Sequence, residues 1–431
     1  MISKAPRGTI DILPDKVEAW QYIENLFRRF CFLYGYKEMR TPIFEHTEIF
    51  TRGIGESTDI VEKEMYTFLD KKGRSLTLRP EFTAPVMRSI IEHSLPLSPP
   101  LKLFYMGPIF RYERPQQGRY RQAHQLGVEV LGSNSPLLDV EVIDLIIKFY
   151  DSLGLKGLSV SLNSIGCSDC RPSSRNKIID FCRNNLDILC DNCKNRFERN
   201  PFRILDCKNA TCKELAKSCP STLDSICSAC KEHFNTVTLY LDKINISYKL
   251  ENSLVRGLDY YTRTVFEVLS ESLGAQSSLC GGGRYDDLIE ILGGKPSPGV
   301  GVAAGIERLI MVMEKQGIPS GKPQGLDLMI IPLGESSYEH AFQLITSIRK
   351  ENFISADLNL VNKGLKAGLN SANKLGVSFA IIIGDIEIAR GEYIIRDLKK
   401  GEQNTIKIED IIGYLKKIYD QQSVISNQQS A

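Results

Sequence analysis

Long apolar runs are missing from this chain of 431 residues. No stretch reaches the roughly 18 apolar residues that a membrane-spanning helix needs. The opening MISKAPRGTIDILP has no apolar signal region either, so a cytoplasmic protein without membrane contact is the expectation. A dominant charge of one sign is also missing. Lys and Arg number 54 against 52 Asp and Glu, a formal net charge of +2, which excludes a histone-like polycation while leaving room for local basic patches. Cysteine is almost absent from most of the chain: of twelve, only Cys31 and Cys280 lie outside the stretch from Cys167 to Cys230. A disulfide scaffold is unexpected in a reducing compartment, which leaves metal ligation or plain reduced thiols for the other ten. What remains is ordinary for a globular protein, with 42% apolar and 25% charged residues, and the length points to two or three domains.

Residues 17–34, VEAWQYIENLFRRFCFLY, recur in apolar character at helical spacing. Short strand-like pieces follow in KEMRTPIF, SLTLRP and KLFYMGPIFRYE, then a helix over 137–154 and a strand at TVFEVLS, 264–270. A helix is expected after Gly301, because Val302, Ile306, Leu309, Ile310 and Met313 fall on one helical face. The Cys-rich segment has its own composition and no strong strand pattern, and reads as a helical insertion. KQGIPSGKPQG, 315–325, is the clearest linker. Beyond it, LDLMIIPL, SYEHAFQLITSIRKENF, SADLNL and FAIIIGD alternate strand and helix, which indicates a small α/β domain. The last residues, QQSVISNQQSA, are polar and are expected to be unstructured. The expected division is a main α+β domain over 1–166 and 241–320, the insertion at 167–240, the α/β domain at 321–421 and a tail at 422–431.

The stretch FRYERPQQGRYRQAHQLGVEVL, 110–131, carries the chemistry. Its second half alternates like a strand, so Gln125, Gly127 and Glu129 share one face while Leu126, Val128 and Val130 share the other. The polar face sets an amide and a carboxylate about 13 Å apart, at roughly 3.3 Å per residue. A solvated outer face is the bland explanation. The sharper one is the floor of a polar pocket, with Gly127 making room for a ligand. Upstream, Arg111 ends a strand, and Arg114, Arg119 and Arg121 lie in the following turn, where planar guanidinium groups match phosphate. RPEFTAP places Glu81 and Thr83 after a strand, where a carboxylate and a hydroxyl could grip an ammonium group. VRGLDYYTRTVFEV sets Arg256, Asp259, Tyr260 and Tyr261 before a strand, and GGGRYDDL and PGVGVAAGIERL give two glycine-rich approaches to a ligand.

Taken together these segments resemble the histidyl-tRNA synthetases, a class II aminoacyl-tRNA synthetase family. RTPIFE is similar to the family's motif 1, FRYERPQQGRYRQAHQLGVEVLG to motif 2 and GVGVAAGIERL to motif 3. RGLDYYTRTVFEV and GGGRYDDL resemble the two segments that distinguish the histidine enzymes, and the likeness runs from PRGTIDILP to RDLKKGEQ. The resemblance implies an α+β catalytic domain with a mostly antiparallel sheet and a C-terminal α/β anticodon-binding domain. It implies a homodimer with motif 1 at the interface. It further implies activation of L-histidine by ATP with Mg²⁺, and transfer to the 3′ end of histidine tRNA. By the family pattern Arg111, Glu113, Arg256 and Arg308 would serve ATP, with the three arginines catalytic. Glu81, Thr83 and Gln125 would bind the α-ammonium group, Glu129 and Tyr261 the imidazole nitrogens, and Tyr260 and Tyr285 would line the pocket. Arg7, Gln116, Arg119 and Arg121 would face tRNA. A pocket that hydrogen-bonds both ring nitrogens rejects analogues lacking them by roughly 10⁴–10⁵, so no editing domain is called for. ADLNLVNKGLKAGLNSANKLG departs from the commoner form of the anticodon domain, which bears on individual anticodon contacts. The rival is the non-catalytic, synthetase-like regulatory subunit of ATP phosphoribosyltransferase, which lacks that domain and in which the active-site residues degrade.

C-x₂-C occurs at 167–170, 190–193 and 227–230, and 19 residues separate the first two pairs. That spacing fits one four-thiolate zinc site at Cys167, Cys170, Cys190 and Cys193. Reduced thiols without metal are the alternative.

Overall fold

The computed structural model describes residues 4–56, 58–116, 118–276, 278–319, 325–360 and 364–428. Residues 320–324 of the linker read at 315–325 and the end of the tail, 429–431, therefore lie outside the described residues. The chain divides into two compact units, Met1–Lys322 and Pro323–Ala431.

The main sheet of the first unit has eight strands, β1 Lys37–Glu38, β2 Leu101–Phe110, β3 Gln122–Leu131, β4 Leu158–Ser164, β5 Tyr248–Leu250, β6 Thr262–Ser270, β7 Ser278–Arg284 and β8 Gly299–Gly305, and a small separate sheet is formed by Phe44–His46, Tyr66–Leu69 and Ser75–Leu78. The eight run in the order β1-β2-β3-β8-β7-β6-β4-β5. Only the outer pairs, β1 with β2 and β4 with β5, are parallel; every pairing between them is antiparallel. One face is apolar. Leu126, Val128 and Val130 of β3 and Val300 and Val302 of β8 pack there against Ile23 and Phe27 of the helix Pro14–Leu33 and Ile143, Ile146 and Phe149 of the helix Pro136–Ser152. Pro14 and Asp15 open the first of these helices, where a missing N–H and an acidic side chain are both favourable.

The helix after the glycine run begins at Ile306, and Val302 lies in β8. Gly and Val alternate over 299–302, so the period is two there, and 3.6 takes over only at Ile306. GGGR is likewise a strand, β7, and not a turn. At its end Arg284 is fully buried, and it donates to Asp139 (2.7 Å), Asp286 (3.0 Å) and the carbonyl of Ser135 (2.8 Å). His233 approaches the same Asp139 at 3.2 Å. Paired and fully hydrogen-bonded, this charge can sit in the interior; removing one partner would strand it, at about 3–5 kcal/mol.

Between β4 and β5 the described residues form helices and turns with no strand. The last helix, Ser228–Lys243, sends Phe234, Val237 and Leu241 into the main core, so the stretch read as 167–240 closes inside a helix that packs on the body of the first unit.

In the second unit the strands run in the order Ala356–Leu358, Leu328–Leu333, Phe379–Gly384, Glu392–Asp397, Gln403–Lys407. The first three are parallel and the rest antiparallel. Ala341, Leu344, Ile345 and Ile348 of the helix Ser337–Lys350 cover Leu328, Ile330, Ile381 and Ile383. The terminal helix, Ile411–Gln428, continues into the segment expected to be unstructured, because its polar residues include no Gly or Pro to stop it.

Candidate functional site

The opposite face of the sheet, toward β3, β8 and β7, is polar and buried. The register sets Gly127 beside Tyr105 on one side and Ala303 on the other, Glu129 beside Gly301, and Ala303 beside Gly281. Glycines on β8 and β7 let side chains from elsewhere lie flat on this floor. A Cβ at Gly301 would fall 1.9 Å from Glu129 Oε2, one at Gly299 2.4 Å from the Tyr285 ring, and one at Gly281 2.2 Å from the Arg256 guanidinium. Gly127 also makes room, but for Tyr105: a Cβ there would sit 2.5 Å from the Tyr105 hydroxyl. The space expected for a ligand is thus filled by a tyrosine that reading along the strand overlooked. Its signal was present, since Tyr105 shares the β2 face of Leu103 and Ile109.

Glu129 is 1% exposed, and hydroxyl groups surround its carboxylate. Thr83 (2.7 Å) and Tyr105 (3.1 Å) donate to Oε1, and Tyr285 donates to Oε2. Burial pushes its pKa up to about 8, with the hydrogen bonds from Tyr285 and Thr83 opposing. Glu81 is buried at the start of the helix Thr83–Glu92, where it accepts from the backbone N–H of Thr83 (2.6 Å) and of Ala84 (2.8 Å), and burial likewise raises its pKa. Tyr260 packs on Tyr261 (4.7 Å between rings) and edge-on to Tyr285 (5.8 Å). Six sequence-predicted residues, Glu81, Thr83, Glu129, Tyr260, Tyr261 and Tyr285, therefore meet in one buried cluster.

The arginines gather at the other end. A cleft of about 1230 Å³ is lined by Arg111, Arg119, Gln125, Arg256, Glu267 and Arg308 among others. Arg256 lies over Gly281, two strands or about 10 Å across the floor from Gly127, and pairs with Glu267. Arg111 donates to the carbonyl of Pro80 (2.8 Å), and Arg308 to those of Gly118 (3.4 Å) and Ser278. Arg308 thus lines the cleft, although its place in the helix Ile306–Lys315 lies off the apolar stripe. Burial, then the like charge of Arg119, pull its pKa below the ordinary value. The Oε1 of Gln125 and the Nε of Arg256 are buried without a hydrogen-bond partner among the described residues. Glu267, the partner of Arg256, and the pair His124–Glu307 (3.0 Å) at the cleft wall were not singled out by sequence, although each lies in a segment that was; what marks them is a partner distant along the chain, which local spacing does not show.

At the cleft mouth, Glu113 takes Arg119 at 3.0 Å and lies 3.9 Å from Arg111. Gln116 and Arg119 bridge backbone to backbone, Arg121 lies 4.0 Å over the Tyr112 ring, and its N–H donates to the carbonyl of Gly8 at 2.7 Å. That bond ties the Arg7–Thr9 segment to this turn, with Arg7 exposed.

The cysteines pair differently from the spacing rule. Cys167 and Cys170 lie with Cys227 and Cys230, and Cys190 and Cys193 with Cys207 and Cys212. The expected single site at Cys167, Cys170, Cys190 and Cys193 is thus replaced by two clusters. The helix Arg171–Arg183, about 20 Å long at 1.5 Å per residue, carries the chain away from the first pair, and Cys227 and Cys230 return to meet it.

A model of the family "Histidyl-tRNA synthetase" matches residues 8–169 and 202–309, and one of the "Anticodon binding domain" matches 327–418. The histidine–tRNA ligase of Pelotomaculum thermopropionicum is 50% identical over 417 residues, covering 96% of this chain and 98% of its own. That of Acetivibrio thermocellus is 48% identical over 417 residues, covering 96% and 100%. The crystal structure of apo histidyl-tRNA synthetase from S. aureus superposes with a TM-score of 0.81 at 37% identity, over 96% of this chain and 99% of that one.

Proposed function

The chain belongs to the histidyl-tRNA synthetase family, and from that premise we propose how its own residues activate L-histidine with ATP and pass it to the 3′ end of histidine tRNA. The nucleophile is the histidine carboxylate and the target is the α-phosphate, so two anions must approach. The site must supply positive charge and alignment more than acid–base chemistry. Arg111 holds the α-phosphate, Arg256 the reacting centre, and Arg308 the γ-phosphate. A carboxylate oxygen bonds to phosphorus, the bond to the β-bridging oxygen breaks, and pyrophosphate leaves. The terminal ribose hydroxyl of the tRNA then attacks the acyl carbon, and AMP departs.

Mg²⁺ fits this cleft as a companion of the triphosphate. Glu113 and Glu267 line the cleft and would hold the ion through one or two oxygens, the phosphates and water supplying the rest, as is usual for this ion. Its contribution would be to neutralise the outer phosphates.

Glu81, Thr83 and Gln125 take the α-ammonium group, and Glu129 and Tyr261 the two ring nitrogens, between the rings of Tyr260 and Tyr285. The observation that carries this reading is the pairing of a buried, hydroxyl-ringed carboxylate with partnerless buried polar atoms on Gln125 and Arg256, on a floor that continues into the arginine cleft. A histidine zwitterion meets the carboxylate and the Gln125 oxygen, and a triphosphate meets Arg256 and the cleft beyond it. Arg7, Gln116, Arg119 and Arg121 meet the acceptor end of the tRNA, Pro323–Ala431 its anticodon, and two copies assemble through motif 1. The regulatory-subunit alternative is not favoured, since the relatives that match nearly end to end are histidine–tRNA ligases and the anticodon-binding domain is present.

ATP–pyrophosphate exchange with each of the twenty amino acids in turn tests the reading. Histidine alone should support exchange. Exchange with another amino acid, or with none, would overturn it.

A further inference from the structure

The two cysteine clusters take no part in the chemistry above, yet they are built more tightly than chance contacts of reduced thiols. In each, all four sulfurs lie within 4.8 Å of one another. In the first, Cys167 Sγ is 3.7 Å from Cys170 and 4.0 Å from Cys227, and Cys170 is 3.8 Å from Cys230. In the second, Cys190 is 3.9 Å from Cys207. A disulfide would bring a pair to about 2.0 Å, and all twelve cysteines are free. Four thiolates at the usual Zn–S length of about 2.3 Å stand about 3.8 Å apart at the corners of a tetrahedron. An iron–sulfur cluster, with inorganic sulfide between its irons, would spread its ligands wider.

Backbone amides already point at the sulfurs. Cys167 N–H donates to Cys170 Sγ at 3.3 Å, and Cys190 N–H to Cys212 Sγ at 3.2 Å, bonds that favour thiolate over thiol. Each cluster places two sulfurs inside and two half-exposed, so an ion could enter and then be closed off.

The surroundings need such a support. Apart from the helix Arg171–Arg183, the elements of the insertion are short: Asp191–Arg196 is six residues, Ala210–Ala216 is seven, and the rest are single turns. Helices of that length do not stand alone. The first cluster sits at the root of the insertion, where the chain leaves β4 and re-enters the helix Ser228–Lys243. It also abuts the pocket wall. Arg171, next to Cys170, donates to the carbonyls of Asp259 (3.0 Å) and Tyr261 (3.2 Å), and the carbonyl of Gly166 accepts from the N–H of Arg263 (2.7 Å).

We propose that the chain binds two structural zinc ions, one on Cys167, Cys170, Cys227 and Cys230, the other on Cys190, Cys193, Cys207 and Cys212. The first acts as a positioning site for the segment from Arg256 to Tyr261. Each ion is four-coordinate and closed, with no open position for substrate or water, so neither is catalytic. Binding releases the thiol protons to solvent and locks the ends of the insertion together.

The experiment is metal analysis of the untagged full chain, expressed with zinc supplied and purified without chelator. Two zinc per chain are expected, unmoved by dialysis against a weak chelator and released on titration with a mercurial. Replacing zinc by Co²⁺ should give thiolate-to-metal charge-transfer bands with tetrahedral ligand-field absorption. The pair Cys170→Ser and Cys230→Ser should leave one zinc, as should Cys193→Ser and Cys212→Ser. The first pair should raise KM for histidine about tenfold with KM for ATP little changed, a readout that rests on the synthetase reading, whereas the metal count does not. Should either variant fail to fold, the count and the cobalt spectrum of the unaltered sequence decide alone. Folded but metal-free protein, zinc lost to the weak chelator, iron in place of zinc, or a single equivalent would each overturn the proposal.

Discussion

The two ends of the polar floor solve opposite problems. At the Glu129 end the structure is finished before any substrate arrives: three hydroxyls already hold the carboxylate, and aromatic rings close around it. At the arginine end nothing is finished. Arg111, Arg256 and Arg308 rest on carbonyls and on Glu267, partners that a triphosphate would replace. Discrimination asks for groups fixed in advance, because a buried polar atom left unpaired is what penalises the wrong ligand. Neutralising a polyanion asks for charge that can be handed over. One floor carries both because glycines leave it flat.

The sharpest way to break this comparison is at the arginine end. Arg256→Ala should lower histidine-dependent pyrophosphate exchange by about 10²–10³, as for loss of one transition-state donor, and near-normal exchange would remove Arg256 from the reaction. At the other end, Glu129→Gln should lower kcat/KM for histidine about 10- to 100-fold, the effect of losing a hydrogen bond to a charged group, with KM for ATP little changed. The same substitution has a signature in the unliganded protein. Because the folded-state pKa of Glu129 is raised to about 8, above the unfolded glutamate value, the folded protein holds a proton that the unfolded chain gives up. That contribution to stability is complete below the unfolded pKa and lost as pH rises toward 8. Thermal midpoints measured across that window should fall more steeply for the unaltered protein than for Glu129→Gln. Equal slopes would show that Glu129 does not carry the raised pKa.

A finer cut separates one hydroxyl from the rest. Tyr285→Phe keeps the ring and removes a donor, and should raise KM for histidine about fivefold, the effect of one ordinary hydrogen bond. A larger effect on ATP than on histidine would place that hydroxyl at the wrong end. The smallest effect belongs outside the floor. Arg121→Ala should leave pyrophosphate exchange unchanged and weaken tRNA charging a few-fold, more at low salt than at high, as a phosphate contact does. Insensitivity to salt would argue against that contact.

Much of this was legible in the sequence, and where it was not the reasons are particular. The alternation in QLGVEV announced the polar face, and β3 presents it. The helix expected after Gly301 is present but starts only at Ile306, because a few apolar residues fit two periods and only the Gly-Val alternation, which is local, places Val302 in the strand. Gly127 was read as space for a ligand because the side chain that fills it comes from the neighbouring strand, and no pattern along one strand reveals what leans in from the next. The cysteine pairing fails for a related reason. Counting along the chain joins nearest neighbours in sequence, whereas a helical excursion joins its two ends. Arg256 and Glu267 meet because β6 and β7 are neighbours, a fact of topology that spacing does not encode.

The glycines beneath the site carry one more consequence. Residues 281, 299 and 301 are already the smallest there are, and each lies under a side chain that a single methyl group would strike. An engineer wishing to admit a bulkier amino acid cannot carve depth from below. Any widening has to come from the sides, by trimming Tyr260, Tyr261 or Tyr285, and each cut there also unseats a ring that helps hold its neighbours.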